Sequence, residues 1–305
     1  MKDVTPSRQT SPEISAVLVS WNRKDLIVKA VESLLEQNYP ALEIIVVDNG
    51  STDGSQDLLR NLPEVQLIEN KRNIGASAAR NQGTRLARGD YIVYMDSDAE
   101  LRTPGTLSTL VQYMEDNPDT AGASGIFFKD PELTELWCWS PCMDWEGNHD
   151  LQASLSQKPN PPVLTTCFVI FRHHALKEIG GFDEFFFYLY EDADVCYRLR
   201  KRGYRLYVDP KIQIFHHFAE PGRTRRGKIR YHYYHEKLRT YFVLKNWGTS
   251  RFLISWWKKV RNPLAFRRQF PYLPIICYVD IYWVRCVLLF LAYPYIRRRR
   301  YQKWI

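Results

Sequence analysis

Asp96-Ser97-Asp98 is the triplet in this chain best suited to chemistry. It follows Tyr91-Ile92-Val93-Tyr94-Met95, a short apolar run preceded by the turn-forming pair Gly89-Asp90, which predicts a buried strand ending at the carboxylates. Residues i and i+2 of an extended segment share a face, so the two carboxylates are expected to converge. Converging carboxylates make a poor structural element, because their charges repel and both need solvating. They make a good seat for a hard divalent cation with open positions for phosphate oxygens. Most Asp-x-Asp triplets are solvated turns, so the surroundings decide.

Upstream, strand and helix alternate. Ala16-Val17-Leu18-Val19-Ser20 reads as a strand, and Leu26 to Leu35 carries apolar residues at helical spacing. Glu43 to Asp48 is a second strand, running into Asn49-Gly50-Ser51-Thr52-Asp53-Gly54. Val65 to Ile68 is a third, followed by a helix from Gly75 to Ala87. This rhythm argues for a parallel sheet covered on both faces, with ligands at the carboxyl ends of its strands. Three strand ends then bring polar residues to one edge: Ser20-Trp21-Asn22, Asp48-Asn49-Gly50-Ser51 and Asp96-Ser97-Asp98.

Four stretches carry a resemblance: VSWNRKDLIVKAVESLLEQNYP, EIIVVDNGSTDGS, NIGASAARNQGTRLARGDYIVYMDSDA and GGFDEFFFYLYEDADVCYRLRKRGYRLYVDP. They resemble family 2 glycosyltransferases, the last being most similar to the rhamnosyltransferase-like branch. The resemblance covers roughly residues 14 to 245, in order and with normal spacing. It implies the GT-A fold: an α/β architecture whose Rossmann-like nucleotide-binding half sits in a mixed central sheet. It also implies roles. Ser20 and Asn22 fall where the first strand meets the nucleotide, Asp48 where a carboxylate bonds the uracil or thymine ring, and Asp53 near the ribose. Ala79, Arg80 and Asn81 match a motif lining the donor pocket. Asp96, Ser97 and Asp98 match the motif that holds ribose and metal, with Asp98 and His216 toward the cation. Asp192 matches the general base.

The chemistry has its own logic. Transfer from a nucleoside diphosphate sugar needs the departing diphosphate neutralised, which Mg²⁺ or Mn²⁺ held by Asp98 would supply. It also needs a base for the acceptor hydroxyl, and Asp192 stands at the start of a helix expected over Ala193 to Lys201. One base without a second carboxylate as nucleophile implies single displacement with inversion. A helix amino end lowers that carboxylate's pKa, whereas burial against Phe185, Phe186 and Phe187 raises it.

Several of these residues have a plainer reading. Asp48 can cap the turn after it, and Ser51-Thr52-Asp53 is a good helix N-cap sequence. Arg80 can be a solvated helix residue. Glu191 can complement the helix end or touch the acceptor, and Asp194 is expected to pair with Arg198. His217, His173 and His174 need no ligand role. Two features depart from the family pattern. Thr166 stands where relatives usually have a glycine, so a hydroxyl there narrows the acceptor cavity or adds a contact. Trp137, Trp139 and Trp145 form either a sugar-stacking platform or a hydrophobic lid on the sheet. Cys138 and Cys142 lack a second pair at zinc spacing.

The chain has 305 residues and a formal net charge of +8, with the basic excess in its last third: Arg223, Arg225, Arg226, Lys228, Arg230, Lys258, Lys259, Arg261, Arg267, Arg268 and the run Arg297 to Arg300. The expected organisation is a polar extension over residues 1–13, a GT-A domain over 14–245, and a basic, aromatic-rich helical tail over 246–305. Residues 1–13 lack the apolar core of a signal peptide, and six scattered cysteines suggest no disulfide framework, so a cytoplasmic setting is expected. Leu273 to Tyr295 is long enough to span a bilayer, but Asp280 and Arg285 interrupt it off one another's helix face. Flanking basic clusters and aromatic anchors favour a tail lying on an anionic membrane surface at the inner face.

The expected partners are therefore a nucleotide-sugar donor (dTDP-rhamnose or a UDP-hexose) and a glycan or lipid-linked glycan acceptor. A nucleotidyltransferase is the rival enzyme, but Ser20-Trp21-Asn22-Arg23-Lys24 contains no glycine to cradle a triphosphate. Nucleic-acid binding fits poorly, because the basic residues interleave with an apolar tail. An inactive glycan-binding scaffold is opposed by intact Asp96, Asp98 and Asp192.

Overall fold

The computed structural model describes residues 13–144, 146–217, 225–261, 284 and 286–299. Four parallel strands form the first half: β1 (Ile14–Ser20), β2 (Leu42–Asp48), β3 (Val65–Glu69) and β4 (Tyr91–Asp96). Helices α1 (Lys24–Leu35), α2 (Ser55–Arg60) and α3 (Ala76–Leu86) connect them; α1 and α3 lie close to the boundaries expected from sequence, and α2 was not anticipated. β5 (Ala99–Leu101), α4 (Thr106–Asp116), β6 (Thr120–Phe128), β7 (Leu136–Cys138), α5 (Leu151–Ser154) and β8 (Phe168–Arg172) follow. Then come α6 (His173–Ile179), α7 (Glu191–Lys201), β9 (Arg205–His216) and α8 (Arg225–Trp247). The sheet order is β3-β2-β1-β4-β8-β6-β9-β5, with β7 on β6. β8 runs antiparallel to both β4 and β6, so the sheet is mixed, as expected.

Alternation along the strands sorts side chains to two cores. Ala16, Leu18, Ile44, Val46, Val93 and Met95 face one side, where Ile27, Ala30, Val31 and Leu34 of α1 recur at helical spacing. Val17, Ile45, Ile92 and Tyr94 face the other, which α6, α7 and α8 cover. α3 reaches that face closely at Gly83, where a Cβ would stand 2.5 Å from Val17 Cγ1. A buried charge cluster fastens α7 to α8: Lys245 contacts Asp194 at 2.7 Å and Asp183 at 2.9 Å, and Arg198 meets Asp194 at 2.7 Å. The Asp194–Arg198 pair is the one that helical spacing predicts.

Two structural differences from the expected organisation stand out. The boundary expected at residue 245 falls inside α8, because Tyr241, Phe242 and Leu244 of that helix are core residues. The C-terminal helices are not detached: α9 (Thr249–Val260), α10 (Cys286–Leu291) and α11 (Tyr293–Arg299) lie beside α8. Ile296 is buried in the same core, and Phe290 stacks on Phe252 at 6.3 Å. Among the described residues no helix is long and apolar enough to cross a membrane. The interrupting charges Asp280 and Arg285, with Arg223, Arg267, Arg268 and Arg300, lie outside the described residues.

Candidate active site

The carboxyl ends of β1, β2 and β4 open onto a cavity of about 670 Å³ lined by Trp21, Arg23, Asn49, Asn73, Asp96, Ser97, Asp98, Phe187 and Tyr188, among others. Asp96 and Asp98 both reach it, but not by sharing an extended face. The strand ends at Asp96, and Ser97-Asp98 form a turn into β5. The two carboxylates consequently have different partners. Asp96 accepts from Arg80 at 2.9 Å, while Asp98 lies 3.5 Å from Arg23 Nε and 3.4 Å from His216 Nε2. Burial opposes ionisation of Asp98, but His216 and Arg23 outweigh it and hold its pKa below the ordinary value. Burial alone would depress His216; Asp98 and Asp96 reverse this and raise it.

His216 arrives through the sheet. β9 pairs antiparallel with β5 so that His216 lies opposite Ala99, one residue from Asp98. The Trp137 ring stacks on the imidazole at 5.0 Å and 13° and meets Phe127 edge-on. Trp137 is thereby committed to packing, Trp139 packs on the opposite core, and Trp145 lies outside the described residues. For the two described tryptophans, the hydrophobic lid describes the contacts better than an open sugar platform.

Asp96, Cys167 and His216 each offer a ligand atom within 4.8 Å of the others. Burial pushes the Cys167 thiol well above its ordinary pKa, so it stays protonated. That leaves an Asp96 carboxylate oxygen and the His216 imidazole, with Asp98 3.4 Å from that imidazole, and carboxylates with one imidazole are a donor set that fits Mg²⁺ or Mn²⁺. Thr166 is buried directly before Cys167, in the turn that enters β8. Cys138 and Cys142 are buried and free, and burial raises the Cys138 thiol to about 12, which does not favour a zinc thiolate.

Asp48 closes β2 fully buried. Its Oδ1 accepts from the N–H groups of Gly50 and Ser51 at 3.2 and 2.9 Å and from Gln56 Nε2 at 2.7 Å. Its Oδ2 is buried with no hydrogen-bond partner among the described residues, and so is Oγ of Ser20, its register partner on β1. Asp48 therefore caps the turn with one oxygen and leaves the other unbonded among the described residues. Asn22 and Asp53 are placed differently. Asn22 Oδ1 accepts from Thr52 N at 2.8 Å and Ser51 Oγ accepts from Asn22 N at 2.9 Å, which clasps the two loops together. Asp53 accepts from the backbone N–H groups of Lys24 and Ser55, both at 3.0 Å, so it caps the starts of α1 and α2. Its side chain is exposed, with Oδ2 accepting the single bond from Lys24 and Oδ1 turned to Ser55.

The Arg80-Asn81 pair is also internal. Asn81 donates to Phe182 O at 2.9 Å and accepts from Phe182 N at 2.9 Å, so its amide holds the chain that leads to α7 and does not line the donor cavity. Arg80 is 5% exposed and donates to Asp96 and to Glu191, each at 2.9 Å. Glu191 thus pairs with Arg80 instead of facing an acceptor, although its Oε2 is buried and unbonded among the described residues. Asp192 follows within the first turn of α7, half-buried, and accepts from Ala193 N at 2.7 Å. Burial and then the Glu191 charge drive its pKa up to about 7, against the pull of the Ala193 N–H and Arg80. Burial wins over the helix end.

The cavity wall also includes Arg23, Asn49, Asn73, Phe187 and Tyr188, which sequence motifs did not single out. Asn49 was visible as a polar residue at a strand end. Its amide donates to Asn73 at 3.1 Å and accepts from Ile74 N at 3.0 Å, so it shapes the loop before α3. Phe187 was expected only to bury Asp192; its place in the donor cavity depends on its contact with Gly75. Gly75 has φ of +93°, and a Cβ there would stand 2.8 Å from Phe187 O.

Residues 15–180 match the family model described as Glycosyl transferase family 2. The chain belongs to this family. It is 37% identical over 120 residues to the succinoglycan biosynthesis protein ExoO of Rhizobium meliloti (strain 1021), a match covering 39% of this chain and 33% of the relative. It is 36% identical over 104 residues to the UDP-Glc:alpha-D-GlcNAc-diphosphoundecaprenol beta-1,3-glucosyltransferase WfaP of Escherichia coli, covering 33% and 41%. The chain thus spans well under half of these relatives. Among solved structures, the mannosyltransferase PcManGT of Pyrobaculum calidifontis, in complex with GDP-Man and Mn²⁺, superimposes with a TM-score of 0.58 at 19% identity, over 96% of this chain and 90% of that one. This likeness establishes the GT-A fold.

Proposed function

We propose that the protein transfers a sugar from a nucleoside diphosphate sugar to a hydroxyl of a glycan or lipid-linked glycan, with inversion and with a divalent cation. Asp48 Oδ2 and Ser20 Oγ, both buried and unbonded, offer a base-reading edge at the end of β1 and β2. Asp96, Asp98 and His216 would hold Mg²⁺ or Mn²⁺, which when bound supplies the charge that neutralises the leaving diphosphate. Asp192 takes the acceptor proton. The observation that carries the reading is the Arg80 bridge from Asp96 at the donor cavity to Glu191, the residue before Asp192, whose pKa burial and the Glu191 charge push up to about 7. A carboxylate poised near neutrality is suited to general base work, and the buried Arg80 fixes its distance from the donor seat.

The donor is dTDP-rhamnose or a UDP-hexose; the rhamnosyltransferase-like branch suggests the first, and the name of WfaP supports the second along with a lipid-linked acceptor. The place of action is the inner face of the cell membrane, held peripherally by the basic C-terminal region. A panel of dTDP- and UDP-sugars, scored with Mn²⁺ for turnover and thermal stabilisation, tests the reaction. NMR of the product's anomeric centre tests inversion. No stabilisation or turnover with any nucleotide sugar would remove the proposal, and retained configuration would remove the single-base mechanism.

A further inference from the structure

We infer that α9 and α10 together form a lipid-docking face, and that its occupant is an anionic bilayer. This rests on the peripheral placement proposed above but assigns it to a defined surface, half of it outside the apolar Leu273 to Tyr295 segment. Leu253, Ile254 and Trp257 on α9 are 44, 51 and 53% exposed, and Val287, Leu288 and Leu291 on α10 are 49, 58 and 70% exposed. On each helix they recur three and four residues apart, which marks a single face. The two helices adjoin, because Phe252 of one and Phe290 of the other stack at 6.3 Å. Away from the donor cavity, which exposes Trp21 and Phe187, residues such as Leu35, Leu58 and Leu86 are exposed one to a helix. Exposed apolar residues gathered on two adjoining helices mark an interaction site.

Charge selects the partner. From residue 247 to the C terminus the sequence carries twelve Lys and Arg against one Asp. Exposed Arg251, Arg261 and Arg298 lie on α9, just past its end, and on α11. The Arg261 guanidinium sits 5.8 Å from the Trp257 ring centre, pairing an interfacial aromatic with a cation. Apolar residues flanked by cations, without acidic residues on either helix, match an anionic headgroup layer over acyl chains. A second copy of this chain would present the same charges and repel.

The experiment compares cosedimentation of the full chain with phosphatidylcholine–phosphatidylglycerol vesicles and with pure phosphatidylcholine vesicles. Binding should be strong to the first and weak to the second, and high salt should weaken it without abolishing it. The triple variant Leu253→Gln, Ile254→Gln, Trp257→Gln should bind anionic vesicles at least about tenfold more weakly. Its far-ultraviolet circular dichroism and its thermal stabilisation by Mn²⁺ and nucleotide sugar should be unchanged. A triple variant that binds vesicles like the parent would overturn the assignment. So would an apolar face found to be covered by self-association, with sedimentation velocity showing a dimer that the variant dissolves. If the variant does not fold, Val287→Gln with Leu288→Gln gives the same test from α10. Vesicle binding without sugar transfer would defeat only the proposed reaction, and transfer without vesicle binding only this face.

Discussion

Arg80 donates to Glu191 across 111 residues of sequence at 2.9 Å, in a site where both side chains are buried. Its other amino group reaches Asp96, also at 2.9 Å. One guanidinium thereby joins the strand end at the cavity to the helix that carries Asp192, the proposed base. Arg80→Met should leave two carboxylates uncompensated and cost about 3–5 kcal/mol of stability, the usual result of breaking a buried pair from one side. Urea unfolding measures it. Arg80→Lys should fail to restore activity, because an ammonium does not span two carboxylates as a planar fork does. An unchanged unfolding midpoint in the methionine variant would contradict this account.

Asp192→Asn keeps shape but cannot take a proton. Turnover should fall by about two to four orders of magnitude, with donor affinity nearly preserved. Single-turnover rates and nucleotide-sugar titrations separate the two. Near-parental turnover would show that another group accepts the proton.

The pH profile carries its own sign. With a pKa of about 7, Asp192 is protonated and inactive as a base at low pH, so kcat/KM should climb through about pH 7 and level off above it. Glu191→Gln removes the neighbouring negative charge that raises this pKa, so the acidic limb should move to lower pH. An unmoved limb would show that Glu191 does not govern the titration.

Asp98→Asn should abolish transfer and weaken nucleotide-sugar binding in Mn²⁺ while the fold survives. In the structure Arg23 and His216 counter the Asp98 charge, so a cation must compete with them. EDTA should lower donor affinity in the parent protein and leave it unchanged in the variant. Donor affinity indifferent to EDTA in the parent protein would exclude this metal seat.

Gly75→Ala tests the wall formed by Phe187 and Tyr188. At φ of +93°, with Phe187 O 2.8 Å from the new Cβ, the substitution must push the Phe187 segment away. The cost should exceed about 1 kcal/mol, and donor affinity should fall with it. Thermal unfolding and nucleotide titration report both; a variant as stable as the parent would show that the segment moves freely.

Local sequence determined the nucleotide-binding half. Apolar runs of strand length, helical spacing in α1, and polar residues at the ends of β1, β2 and β4 were legible because each depends on neighbours within a few residues. Asp48 and Asp96 could be found for the same reason: both close a strand. Tertiary structure decided the rest. Asp98 meets His216 only because β5 pairs with β9, and Arg80 is buried only because α7 brings Glu191 over α3. Asn81 bonds the backbone of Phe182, and Asp53 the first N–H groups of α1 and α2, contacts across the chain that residue type alone does not reveal. The rise in Asp192's pKa required knowing that burial outweighs its helix end. Such outcomes depend on contacts made across the fold, which the order of residues along the chain does not record.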